Sequence, residues 1–108
     1  MKDVYTGIAM IELGGNIELV GFRDLDYSEL IVVKKIVGNY ARRISDASKM
    51  EKLSVTLKVV HHTAKSEKYE LHSKCLCNGK EYSAEITDRN LFVALDSALK
   101  KVHVQAVK

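Results

Sequence analysis

The residues of this chain best suited to chemistry are two cysteines, four histidines and a scatter of lysines and arginines. Cys75 and Cys77 flank a single leucine. In a strand that spacing puts both thiols on one face, and it is a poor spacing for a disulfide. It is also a poor zinc knuckle, because tetrahedral sites commonly use C-x₂-C with a second ligand pair. Two small core residues are the better reading, since cysteine is among the most buried residue types. His61 and His62 are adjacent, so in a strand their rings point to opposite faces and cannot easily hold one ion together. His72 falls opposite Glu85 in the hairpin derived below and reads as a cross-strand charge pair worth about 1 kcal/mol at most. There is no nucleophile elbow, phosphate loop or acid–base constellation, and Gly14-Gly15 reads as a turn. No enzymatic activity, metal site, cofactor or small-molecule substrate is expected.

The basic residues remain. The net charge is only +3, but residues 1–30 hold two bases against six acids, residues 31–52 six against two, and residues 53–108 nine against six. Such asymmetry hints at a polyanionic partner, although a solvated basic surface would read the same way. Aromatic side chains are few (five Tyr, two Phe, no Trp) and most fall on core faces, which argues against a stacking platform for single strands. No run approaches the roughly 18 apolar residues of a membrane helix, and the opening "MKDVYTGIAM" carries no apolar signal-peptide core, so a soluble, cytoplasmic protein is expected. A chain of 108 residues suits one two-layer core and not two ordinary domains.

The elements that must position these residues follow from periodicity. "IAMIEL" and "NIELVGF" (residues 8–13 and 16–22) read as strands joined at Gly14-Gly15. Asp26 stands three residues before Glu29, the capping-box spacing, and opens a helix over residues 27–45. Its apolar stripe is Leu30, Val33, Val37, Tyr40, Ala41 and Ile44; Lys35, Asn39 and Arg42 lie opposite, flanked by Lys34 and Arg43. Residues 53–62 alternate, with Leu53, Val55, Leu57 and Val59 inward. Residues 68–77 and 80–87 flank Asn78-Gly79, a strong type I′ hairpin signal. That turn sets Cys75 against Tyr82 and Ser73 against Ala84 on the core face, with Lys74 against Ser83 and His72 against Glu85 on a wet face. Asn90 caps a last helix whose buried stripe is Leu91, Leu95, Ala98, Leu99 and Val102, with Asp96 and Lys100 exposed and spaced to pair. The expected fold is an α+β two-layer sandwich in β-α-β-β-β-α order, two helices on one face of a mostly antiparallel sheet. Residues 1–15 form an N-terminal extension with an added strand, and residues 16–105 the single domain.

This order resembles the ribosome hibernation-promoting factor and ribosome-associated translation inhibitor family, in its short form. The matching features are the strand ending at Gly21 before a capped helix, the strand "LSVTLKV", the short hairpin, the "SAE" strand ending and the helix opening "LFVALD". The likeness covers residues 16–105, and it implies a stress-response factor that binds the small ribosomal subunit in the channel used by messenger and transfer RNA and silences idle ribosomes. Carried over by position, the RNA-contacting candidates are Lys34, Lys35, Arg42 and Arg43 on the first helix and Lys100 and Lys101 on the last. His103 would add to them from the edge of that helix. The tail with which long forms pair ribosomes has no counterpart, so ribosome dimerisation by this chain is not expected. A general RNA-binding or scaffold module of the same fold is the alternative, because one fold serves many functions.

Overall fold

The computed structural model describes residues 10–13, 16–63 and 66–107. The elements are β1 (Met10–Leu13), β2 (Ile17–Val20), α1 (Tyr27–Ala47), β3 (Met50–Thr63), β4 (Ser66–Cys77), β5 (Lys80–Asp88) and α2 (Leu91–Ala106). The sheet runs β1-β2-β3-β4-β5, antiparallel except where β2 lies parallel to β3. The parallel pair needs a crossover, and α1 is that crossover. The architecture is the α+β sandwich read from the sequence, and β1 is the added N-terminal strand; its Gly-Gly connection and residues 1–9 lie outside the described residues.

Local chemistry fixes where each helix starts. Asp26 Oδ1 accepts the Glu29 N–H (2.8 Å) and Glu29 Oε1 accepts the Asp26 N–H (3.2 Å), a reciprocal cap that uses two otherwise unpaired donors. Asn90 Oδ1 accepts the N–H groups of Phe92 and Val93, both at 3.0 Å, and so starts α2. The Asn78-Gly79 turn has φ of 53° and 77°, the positive pair a type I′ turn demands. Two contacts tie this turn to the start of β3: Asn78 N–H donates to the Lys49 carbonyl (3.0 Å) and Gly79 N–H to Glu51 Oε1 (2.8 Å). The resulting register pairs Cys75 with Tyr82, Lys74 with Ser83, Ser73 with Ala84 and His72 with Glu85, as the turn predicts.

The core lies between the helices and one face of the sheet. Val33, Val37, Tyr40, Ala41 and Ile44 of α1 are buried, as are Leu91, Leu95, Ala98, Leu99 and Val102 of α2. Leu53, Val55 and Leu57 face them from β3, and Leu71, Cys75 and Cys77 from β4. Ser73, the one buried polar side chain among the described residues, donates to the Ala98 carbonyl (2.9 Å) and so joins sheet to helix.

One inward expectation needs correction. Val59 continues the alternation but is 42% exposed. The register explains it: β2 pairs β3 only from Leu53 to Thr56, and β5 pairs β4 only from Tyr69 onward, so the strands run on past their neighbours as a two-stranded arm. Most aromatics do face inward, Phe22 and Tyr40 buried and Tyr69, Tyr82 and Phe92 packed against the core, with Tyr27, at the first turn of α1, 79% exposed. Among the described residues no helix is long and apolar enough to cross a membrane.

Candidate nucleic-acid interface

The expected cations stand on the two helices, and the topology sets those helices side by side. Because β2, β3 and β5 run in one direction and each helix returns along the sheet from the end of its strand, α1 and α2 run in the same sense. Lys34, Lys35, Arg42 and Arg43 are all exposed on α1, and Lys100 and Lys101 on α2. Each lies off the buried stripe of its helix, and only Arg43 also packs on a buried side chain, the Tyr40 ring.

The seam between the helices is built on Tyr40. Its ring is buried, its hydroxyl donates to Asp96 Oδ1 (2.9 Å), and the Arg43 guanidinium sits over the ring 5.0 Å from its centroid. Burial, then the hydrogen bond to Asp96, pushes the Tyr40 hydroxyl above its ordinary pKa. His103 packs edge-on to the same ring at 6.0 Å and is half-buried, so it belongs to the seam more than to the outer face where the sequence places it. Asp96, spaced to pair with Lys100, accepts the Tyr40 hydroxyl instead. Sequence reasoning reads Tyr40 as a core residue and misses this organising role. The only signal in the chain is the Tyr40-x-x-Arg43 spacing, which puts both on one helix face.

Charge is distributed differently on the two faces of the molecule. The helices carry six basic and three acidic residues, while β3, β4 and β5 together carry five basic and six acidic. On the open sheet face the cations have acidic neighbours: Lys52 reaches Glu18 at 3.1 Å and Lys74 reaches Glu81 at 4.0 Å. Among the described residues, none of the six helix cations forms an ion pair.

The remaining candidates fall elsewhere. Cys75 and Cys77 are free, buried and in contact through their sulfurs (2.9 Å). Burial, reinforced by its neighbour, raises the Cys75 thiol to about 12, which leaves it a poor nucleophile near neutral pH. His72 lies on the open sheet face between Glu70 and Glu85, not beside Glu85 alone. The side chains of His61 and His62 lie outside the described residues. In comparisons with known proteins, no family model matches the chain and no curated protein does.

Proposed function

We propose that this chain is a ribosome-binding factor that occupies the messenger and transfer RNA channel of the small subunit through the outer faces of α1 and α2, silencing translation in idle ribosomes. The observation that carries this reading is the contrast between the two faces. Among the described residues the six helix cations stand exposed without acidic partners, whereas on the sheet face Lys52 and Lys74 lie beside Glu18 and Glu81. Neutralised lysines gain little from a phosphate, because they must first give up an existing partner. Unpaired ones release counterions from RNA at no such cost. Two helices running in the same sense also present their cations in parallel rows, a geometry suited to following a phosphate backbone without reading bases. The order of elements and the "LFVALD" opening of α2, which resemble the hibernation factors, direct the reading to the ribosome and not to RNA at large.

The test is co-sedimentation with purified small subunits over a salt series, with reporter translation in a matched cell extract as the functional readout. Each removed phosphate contact flattens the salt dependence by about one counterion. The double reversal Lys35→Glu with Lys101→Glu is expected to weaken binding and relieve translational silencing. Lys58→Glu with Lys74→Glu changes net charge equally on the sheet face and is expected to do neither. Equal weakening by both pairs means that net charge alone matters and the helix face is not the docking surface. No binding by the unsubstituted protein at low salt gives up the ribosome for the general RNA-binding or scaffold alternative.

A further inference from the structure

On the open face of the sheet, away from the helices, three metal-ligating side chains converge. Glu70 and His72 are two apart on β4 and so share a face, and the β4–β5 register sets Glu85 directly across from His72. The three ligand atoms all lie within 4.8 Å of one another. His72 Nε2 is 3.5 Å from Glu70 Oε1 and 3.7 Å from Glu85 Oε2. Yet that nitrogen, shielded from solvent, makes no hydrogen bond to either. A buried imidazole nitrogen without a partner is costly unless something else satisfies it.

We propose that Glu70, His72 and Glu85 form a binding site for a divalent transition metal ion, with zinc the best fit. The distances carry the argument. In a tetrahedral zinc site with bonds of about 2.0–2.2 Å, neighbouring ligand atoms stand about 3.3–3.5 Å apart. Of the two separations from Nε2, the one to Glu70 falls at the upper end of this range and the one to Glu85 a little beyond it. They are too long for hydrogen bonds and close to the edge of a coordination tetrahedron. An ion placed among the three atoms would pair the orphaned nitrogen and both carboxylates at once, leaving the fourth position to water. One imidazole with two carboxylates suits zinc and its first-row neighbours, whereas calcium and magnesium take oxygen donors.

The surroundings permit this. β4 and β5 are paired over nine successive positions, from Tyr69 opposite Asp88 to Cys77 opposite Lys80, so the ligands are held on rigid backbone. Across from them on β3 stand Thr56, opposite His72, and Lys58, opposite Glu70. Lys58 is exposed and free to turn its ammonium outward, and Lys74, two residues along β4, is already directed to Glu81. A groove of about 600 Å³ lined by Thr56, Lys58, Ser83 and Glu85 opens over His72 and gives an ion access.

The test titrates the metal-free protein with Zn²⁺ by calorimetry and with Co²⁺ by visible absorption. One saturable ion per chain is expected, with the d–d bands of a low-coordinate nitrogen and oxygen site and no thiolate-to-cobalt charge-transfer band. His72→Ala and Glu85→Gln are each expected to weaken binding at least tenfold, while His61→Ala with His62→Ala leaves it unchanged. Circular dichroism establishes that the variants are folded; His72 faces outward, and Glu85→Gln decides the matter if His72→Ala does not fold. Absence of saturable binding up to millimolar Zn²⁺, binding that survives both single substitutions, or a thiolate band pointing to Cys75 and Cys77 would each overturn the proposal. Because the site lies on the face opposite the helix cations, its loss is expected to leave co-sedimentation with small subunits unchanged.

Discussion

Tyr40 joins what the sequence keeps apart. It is a stripe residue of α1 by periodicity, but its partner Asp96 is 56 positions away, and no local pattern announces a bond of that separation. Removing the hydroxyl in Tyr40→Phe is expected to cost about 1 kcal/mol, the net worth of one hydrogen bond, and a double-mutant cycle with Asp96→Ala is expected to return most of it as coupling. Failure to couple would mean that the seam is held by packing alone. The cysteines, by contrast, were legible, because the Asn78-Gly79 turn fixes the face on which both thiols lie. Their burial has a pH consequence. The Cys75 thiol is raised from 9.0 to about 12 in the folded protein, so the unfolded chain loses its proton first as pH rises. Its contribution to stability is therefore complete below about pH 9 and is lost progressively toward pH 12. Urea midpoints measured across that window are expected to fall more steeply in the natural protein than in Cys75→Ala. Parallel slopes would show that the thiol is not buried as described.

At the scale of elements, the signals that proved legible are local ones: the capping box, the Asn90 cap, the I′ turn and the alternation of β3. The first three are bonds or dihedrals set by residues within four positions of one another, and the last is a period of two along one strand. What periodicity cannot supply is where a neighbouring element stops, which is why Val59 reads as inward and lies on an arm that has outrun its cover. The glycines separate the two kinds of information. Gly38 sits inside α1 with nothing within 4 Å of where a Cβ would be, so Gly38→Ala is expected to stabilise the protein by about 1 kcal/mol through helix propensity. Gly21 has φ of +85°, and a Cβ there would run into the Leu57 carbonyl of β3. Gly21→Ala is therefore expected to cost about 2 kcal/mol or more. Thermal melts of the two variants should move in opposite directions. A stabilising Gly21→Ala would mean that β2 does not approach β3 as the parallel register requires.

Over the whole molecule the decisive property is the segregation of charge between faces, and only half of it can be read from the chain. Helical spacing puts Lys34, Lys35, Arg42 and Arg43 off the stripe of α1, but that they remain unpaired depends on where the acids of other elements end up. Glu18, Glu70, Glu81 and Glu85 gather on the open sheet face because the strand pairing takes them there, and Glu18 and Glu81 draw Lys52 and Lys74 into ion pairs far from the helices. That partition predicts a footprint. Acetylation of the free protein should modify Lys34, Lys35, Lys100 and Lys101 readily, since all four are exposed and none forms an ion pair among the described residues. When the protein is bound to small subunits, phosphates that replace water around these ammonium groups should slow their reaction severalfold, while Lys52, Lys58 and Lys74 keep the rates of the free protein. Peptide mass spectrometry after a brief acetylation pulse reads all seven lysines in one experiment. Raising the salt to release the complex should restore the helix lysines together, because they share one counterion-dependent contact surface. Protection confined to the sheet lysines would place the RNA on the opposite face, and uniform protection of both sets would mean that the chain is enclosed without a docking face of its own.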